Sequence, residues 1–276
     1  MQDLLEPALR GVRYFAWLYA YGAQRALLAA LFGIEREIRQ SLRPGLDHQV
    51  AHTRLQWWRE ELARCAQGRP VHPLTVALLG ITGSTQPLSG LSGFVDTCLW
   101  DLANASFESR RELIAYAQRW AAAIQGPVAA VEAAQAWQWN VAELGATLCE
   151  LEFLDTLLPQ ARAGRIRVPL DELDRIGARP EELLSPPWSA AIAKLLAARH
   201  ETLRAQLLAV SGSLQPTGQL PMRGLLVWSG LAWRSSRRAQ QRLPLAPRNG
   251  QRGGMADAWY AWRAARGASL GRFRLQ

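Results

Sequence analysis

Lysine is almost missing from this sequence of 276 residues: Lys194 stands alone, and arginine supplies the rest of the 32 basic side chains. The net charge of +9 is therefore an arginine surplus, scattered rather than gathered into a basic run. A nucleic-acid arm concentrates its charge, so no nucleic-acid partner is expected; tight, salt-sensitive binding to DNA or RNA would be the sign of one. Cysteine is scarce too. Cys65, Cys98 and Cys149 lie far apart with no CxxC pair. That excludes a disulfide framework and predicts reduced, buried thiols in a cytoplasmic protein. Long apolar runs are lacking as well. The longest stretch without Asp, Glu, Lys or Arg, from Pro70 to Val95, holds three prolines and four glycines, which suit a short helix and a loop rather than a membrane span. The first residues, MQDLLEPALRGVRYF, carry acids early and no apolar core of signal length, so no secretion signal is expected. Period-two alternation, a fixed internal repeat, a GxxxxGK[ST] loop and a GxSxG elbow are all missing. His48 and His52 stand four apart, but residue 49 is Gln and no third ligand is near, so they read as helix-surface histidines.

What is present is helical periodicity. The segment Tyr14–Arg43 repeats apolar residues at helical spacing through Leu27, Leu28, Leu31, Ile34 and Ile38, and Pro44-Gly45 breaks it. A helix is expected over Asp47–Cys65, capped by Asp47. A short helix near Leu74–Leu79 precedes a loop over Gly80–Gly93. Helices follow at Phe94–Leu102 and Ser106–Ile124; Gly126-Pro127 is expected to kink or break that run before Val128–Leu158. Pro159–Pro169 reads as a basic loop, then come Leu170–Gly177, Pro180–Leu184, Pro187–Leu208, Pro221–Leu243 and a last helix near Ala256–Arg266. The expectation is one all-α domain over residues 1–276, with a core at about 10–245 and a C-terminal helix and basic tail at 255–276. Twelve tryptophans, many in these patterns, either fill the core or line a cavity for a long apolar ligand.

The most specific string is Arg54-Leu55-Gln56-Trp57-Trp58-Arg59-Glu60-Glu61-Leu62, in which Arg54, Trp58, Glu61 and Cys65 share one helical side. It resembles the RLxWWRxEL-like string of the squalene/phytoene synthase family. Upstream, Arg13-Tyr14-Phe15, Gln24-Arg25-Ala26-Leu27 and Ala30-Leu31-Phe32-Gly33-Ile34-Glu35 fit as well. Gly164-Arg165-Ile166-Arg167-Val168-Pro169-Leu170-Asp171-Glu172-Leu173 is similar to the family's GRxYLPLDEL segment, and Asp96, Asp101-Leu102 and Glu112–Tyr116 resemble its middle region. The resemblance implies an isoprenoid-synthase-type helical bundle around a central apolar cavity. It also implies head-to-head joining of two prenyl diphosphates, with magnesium held by two DxxxD motifs on facing helices. A DxxxD spacing puts both carboxylates on one helical face, where they neutralise the diphosphate leaving group through the metal.

Those acids are not in register here. The first motif falls on Arg39, Gln40 and Arg43, and the second on Thr156 and Gln160. Asp155 is one residue, or about 100°, off the second motif. Glu152, one turn before Thr156, and Glu35, Glu37 and Glu150 are the acids left nearby. No metal site or cofactor is therefore expected, magnesium being required only if the chain is an active prenyl transferase using acids such as Glu152 and Asp155. The N-terminal pattern looks closest to a divergent branch that includes the mitochondrial complex I assembly factor with a squalene/phytoene-synthase-like domain. That likeness implies a frame reused to bind a lipid or a protein partner, in assembly of a membrane complex. Arg36, Arg39 and Arg43 either hold an anionic head group without metal or pair with Glu35 and Glu37 on a solvated face. The remaining candidates for a cavity or diphosphate site are Arg54, Trp58, Glu152, Thr156, Gln160 and Arg165. Trp259, Tyr260 and Trp262 with Arg263, Arg266, Arg272 and Arg274 either rest on an anionic membrane, making the protein peripheral at the inner membrane, or form a packing helix with a frayed basic tail.

Overall fold

A computed structural model describes residues 11–43, 45–103, 106–131, 138–247 and 254–275. Pro44, Trp137, Gly250 and Gly253 lie outside them, as does the side chain of Trp139. All regular structure among the described residues is helical. The helices are α1 (Val12–Leu18), α2 (Gln24–Arg39), α3 (His48–Ala66), α4 (Pro73–Thr82), α5 (Ser92–Ala103), α6 (Arg110–Val131) and α7 (Gln138–Asp155). Next come α8 (Leu157–Arg162), α9 (Leu170–Arg175), α10 (Ala190–Gly212), α11 (Pro216–Gln219), α12 (Arg223–Arg242) and α13 (Met255–Ser269). None of the helices searched is long and apolar enough to cross a membrane.

Two helices are enclosed by the others. Nearly every residue of α2 from Leu27 to Glu35 is buried, and so is α12 from Gly224 to Ala232. A helix apolar or small all round belongs in an interior. Around α2 lie α1, α3, α4, α5 and α6; around α12 lie α1, α7, α10 and α13. The pair α6–α7 is the most extensive helix–helix contact and joins the two halves. Tyr116 and Trp120 of α6 and Phe94 of α5 are among the largest fully buried side chains. Each stabilises the fold by roughly 2–3 kcal/mol relative to leaving it exposed.

Several local expectations hold. Asp47 caps α3, accepting from the backbone N–H of Gln49 at 2.8 Å and of Val50 at 3.2 Å. His48 and His52 are exposed, and the three cysteines are buried and unpaired. Burial pushes the Cys65 thiol up to about 11 and the Cys98 thiol up to about 12, so both stay protonated. Several boundaries differ: Pro159–Arg162, expected as the start of a basic loop, belongs to α8, because buried Leu157 and Ala161 hold that turn, and the helix expected to reach Leu158 ends at Asp155. The run Tyr14–Arg43 is two helices, because Gly22 turns the chain with φ +50° between them. Much of Gly80–Gly93 is ordered helix: α4 continues to Thr82, Gly83 closes it in the left-handed conformation, and a 3-10 segment over Gln86–Leu91 anchors buried Leu88 and Leu91. Helix α6 runs through Gly126-Pro127 to Val131. Its packing against α7 offsets the one hydrogen bond that Pro127 cannot make.

His200 on α10 gives the fold a pH dependence. It is buried against α12, with Nδ1 2.9 Å from Ser236 Oγ. Burial, and then the Arg204 guanidinium, hold its pKa down to about 4 from the ordinary 6.5. The unfolded chain takes up this proton near pH 6.5 while the folded protein stays neutral. Stability from this group is thus complete above pH 6.5 and falls as pH drops towards 4, by about 3 kcal/mol in all. Urea unfolding between about pH 7 and about pH 4.5 should show that decline in the wild type and a flatter profile in His200→Gln.

Candidate functional site

At the middle of the bundle, helices distant in sequence bring charged groups together. Glu35 and Arg39 lie one turn apart on α2, and Arg39 Nε donates to Glu35 Oε1 at 2.8 Å. From α1, Arg13 donates to Glu35 Oε2 at 2.5 Å, and its other nitrogen donates to Glu152 Oε2 of α7 at 2.8 Å. From α6, Trp120 Nε1 donates to Glu35 Oε1 at 2.7 Å. Glu35 is 1% exposed. The Arg13 guanidinium lies 5.5 Å from the ring centres of Phe32 and Trp228 and 5.7 Å from that of Trp120. It is a half-buried cation, its side chain 20% exposed, set among aromatic rings and paired to two carboxylates from different helices.

The placement of α1 makes this possible. It packs on α12 so closely that a Cβ on Gly224 would come within 2.6 Å of the Ala16 carbonyl oxygen, so glycine is required there. Burial alone would lower the Arg13 pKa, but Glu152 and Glu35 beside it raise it above the ordinary arginine value. Burial acts on Arg39 in the same way, and Glu35 prevails, holding its pKa well above the usual value. Both guanidiniums therefore remain charged.

The sequence candidates divide around this centre. Arg39 and Glu152 belong to it. Thr156 sits one turn below Glu152 and donates to its carbonyl oxygen at 2.7 Å. Arg165, half-buried, donates to the carbonyl of Leu42 at 3.2 Å, so the loop after α8 closes over the end of the first motif. Gln160 is half-buried, and its Oε1 finds no hydrogen-bond partner among the described residues. Arg36, half-buried, pairs with Glu37 at 3.1 Å, while Arg43 is exposed beyond the turn that follows α2. Arg54 and Trp58 sit on α3, Trp58 packing on His72 at 4.8 Å between ring centres. Glu61 of the same string is buried and accepts from the backbone N–H of Val71 and His72 at 2.9 and 2.8 Å, which ties α3 to the start of α4. Glu61 of that string thus does structural work. Asp155 is buried and accepts from Ser235 of α12 at 3.1 Å.

Arg13, Trp120 and Trp228 were not candidates. Arg13 stands 22 residues from Glu35 and 139 from Glu152, and no local spacing connects them. The available signal was its place in the Arg13-Tyr14-Phe15 string.

The magnesium implied by the resemblance does not fit these residues. Neither motif position offers a carboxylate, and the two acids that reach the centre are bridged by Arg13. Among the described residues no group of three or more His, Cys, Asp or Glu could hold a metal ion.

Comparison with known proteins bears on the frame. The family model described as squalene/phytoene synthase matches residues 12–240. No curated protein matches this chain. Among solved structures, a dehydrosqualene synthase in complex with ligand superposes with a TM-score of 0.77 at 13% identity, covering 92% of this chain and 90% of that one. The squalene synthase HpnC from Alicyclobacillus acidocaldarius superposes with a TM-score of 0.69 at 14% identity, covering 85% and 89%. These likenesses show the all-α isoprenoid synthase fold, and with the family match over most of the sequence, the chain belongs to the squalene/phytoene synthase family.

Proposed function

We propose that the chain uses this frame to hold an isoprenoid or lipid with an anionic head group, without metal and without prenyl transfer. One observation carries the reading: Arg13 joins Glu35 to Glu152, so a tethered guanidinium stands between the carboxylates that α2 and α7 bring to the centre. A diphosphate leaves only when its charge is neutralised, and a magnesium ion does so through open coordination positions. A guanidinium has none; it offers hydrogen bonds to an anion in a fixed fork. Arg39 and Arg165 both stand close enough to Cys98 to act on it electrostatically, so two further cations lie near this centre for an anionic head group. The buried aromatics around Arg13 supply an apolar wall for the ligand's tail.

Isothermal titration with farnesyl diphosphate tests this. Equal affinity in EDTA and in magnesium is the expected result, with Arg39→Gln weakening it about tenfold, the effect of one charge-assisted contact. Absence of binding in both conditions sinks the ligand. Release of pyrophosphate with magnesium would instead establish an active transferase working through acids such as Glu152 and Asp155.

A further inference from the structure

Helix α13 turns an unusual face outward. Met255, Trp259, Trp262, Arg263, Arg266 and Leu270 are all exposed, Met255 at 91%, Leu270 at 61%, Trp259 at 54% and Trp262 at 47%. At 100° per residue these six positions fall within an arc of about 100°, one continuous stripe. The opposite side, with Ala261, Ala265 and Ala268, is buried against the bundle. Surface helices normally present charged residues of both signs. This stripe carries tryptophan, aliphatic residues and arginine, and no acid.

The charge is one-sided throughout the segment. Asp257 is the only acid between residues 254 and 275, and it is buried and held by Arg238 at 3.1 Å and Arg234 at 3.8 Å. Arg263, Arg266, Arg272 and Arg274 are all exposed. The same four arginines line a cleft of about 260 Å³ between α13 and the segment after it, with Tyr260, Leu270 and Phe273 as its apolar lining. Arg263 and Arg266 lie over the rings of Trp259 and Trp262, at 5.7 and 5.5 Å. Each exposed ring thus carries a cation on its face, so aromatic and positive groups meet a surface together.

We infer that this stripe docks the protein on an anionic lipid surface, with the two tryptophans at the headgroup level and the arginine-lined cleft receiving a lipid phosphate. The chemistry fits one occupant. Amphipathic indoles settle at the boundary between headgroups and acyl chains, and clustered arginines are drawn to negative headgroups. The one-sided positive charge of the whole segment, four exposed arginines and no exposed acid, is what an anionic lipid surface complements. The inference stands apart from the central site, because none of the six stripe residues belongs to it.

Vesicle sedimentation of the full chain tests the inference. Phosphatidylcholine vesicles containing phosphatidylglycerol should retain the protein, and phosphatidylcholine alone should not. Added salt should release it, because surface charge attraction is screened. Arg263→Gln with Arg266→Gln should weaken retention by about tenfold or more, given the attraction of each basic residue near an anionic surface. Trp259→Ala with Trp262→Ala should weaken it to a similar extent. All four side chains are exposed, so unchanged melting curves check that the variants fold. Failure to bind anionic vesicles, or equal binding by the substituted proteins, overturns the inference. So does a dimer in solution that the same substitutions dissociate, since the face would then be covered by a second copy. Saturation by inorganic pyrophosphate with no vesicle binding overturns it in favour of a free phosphate site.

Discussion

Glu35→Ala lowers the unfolding free energy by about 3–5 kcal/mol, the range for removing one partner of a buried ion pair. That is a large part of the roughly 5–15 kcal/mol by which a domain is stable. The reason lies in what Glu35 receives: Arg13 through both terminal nitrogens, Arg39 through Nε and Trp120 through its indole N–H. Alanine leaves the half-buried Arg13 and Arg39 and the buried Trp120 indole without that acceptor, with Phe32, Trp120 and Trp228 around the Arg13 guanidinium and only Glu152 to balance it. Glu35→Gln keeps an oxygen for one or two of the donors and should lose about half as much. The double change Arg13→Met with Glu35→Met removes both charges and fills the space. It should be less damaging than Glu35→Ala, with a coupling of about 2 kcal/mol or more against the corresponding single changes. Urea unfolding of the set decides it. A loss below about 1 kcal/mol for Glu35→Ala would mean that water reaches and satisfies the arginines, and the enclosed-cation description would be wrong.

The same cluster shows what the sequence could and could not disclose. Helix α3 was legible because its signals are local: an Asp47 cap and a helical repeat of apolar positions. The family was legible because its strings are short and contiguous. The ending of α6 was not, since Pro127 is a helix breaker only where nothing else holds the helix, and α7 lies elsewhere in the chain. The loop expected after Gly80 failed for a similar reason. Leu88 and Leu91 find burial against distant helices, and that burial outweighs the glycines around them. At the site, the arginines of the first motif were visible, and so was their option of pairing with Glu35 and Glu37. Arg39 and Arg36 make those two pairs. What separates them is depth: the Glu35 pair faces the interior and the Glu37 pair the outside, which only the position of α2 among its neighbours decides. Arg13 belongs to the same class of long-range facts. Its charge, its two acids and its three rings come from five helices, and no window of sequence contains them together.

A second buried pair separates stability from ligand binding. Asp101 of α5 and Arg167, in the segment before α9, meet at 2.8 Å with side chains only 3% and 2% exposed. Tyr116 donates its hydroxyl to the other Asp101 oxygen at 3.1 Å. The Arg167 guanidinium lies 4.7 Å from the centre of the Phe153 ring, with Phe107 and Tyr116 also around it. Burial alone would lower the Arg167 pKa, but Asp101 raises it, so its charge persists. Asp101→Ala strands that charge and should cost about 3–5 kcal/mol, as Glu35→Ala does. Asp101→Leu with Arg167→Met should recover most of the loss, since an apolar pair of similar volume avoids desolvating two ions. The two sites should part company in ligand titrations. The Asp101 double variant, once folded, is expected to bind farnesyl diphosphate as the wild type does, whereas Arg13→Met with Glu35→Met alters affinity because it replaces the charged groups at the proposed head-group site. Equal disturbance of binding by both double variants would show that ligand affinity follows overall rigidity, and the central cluster would lose its claim to be the site.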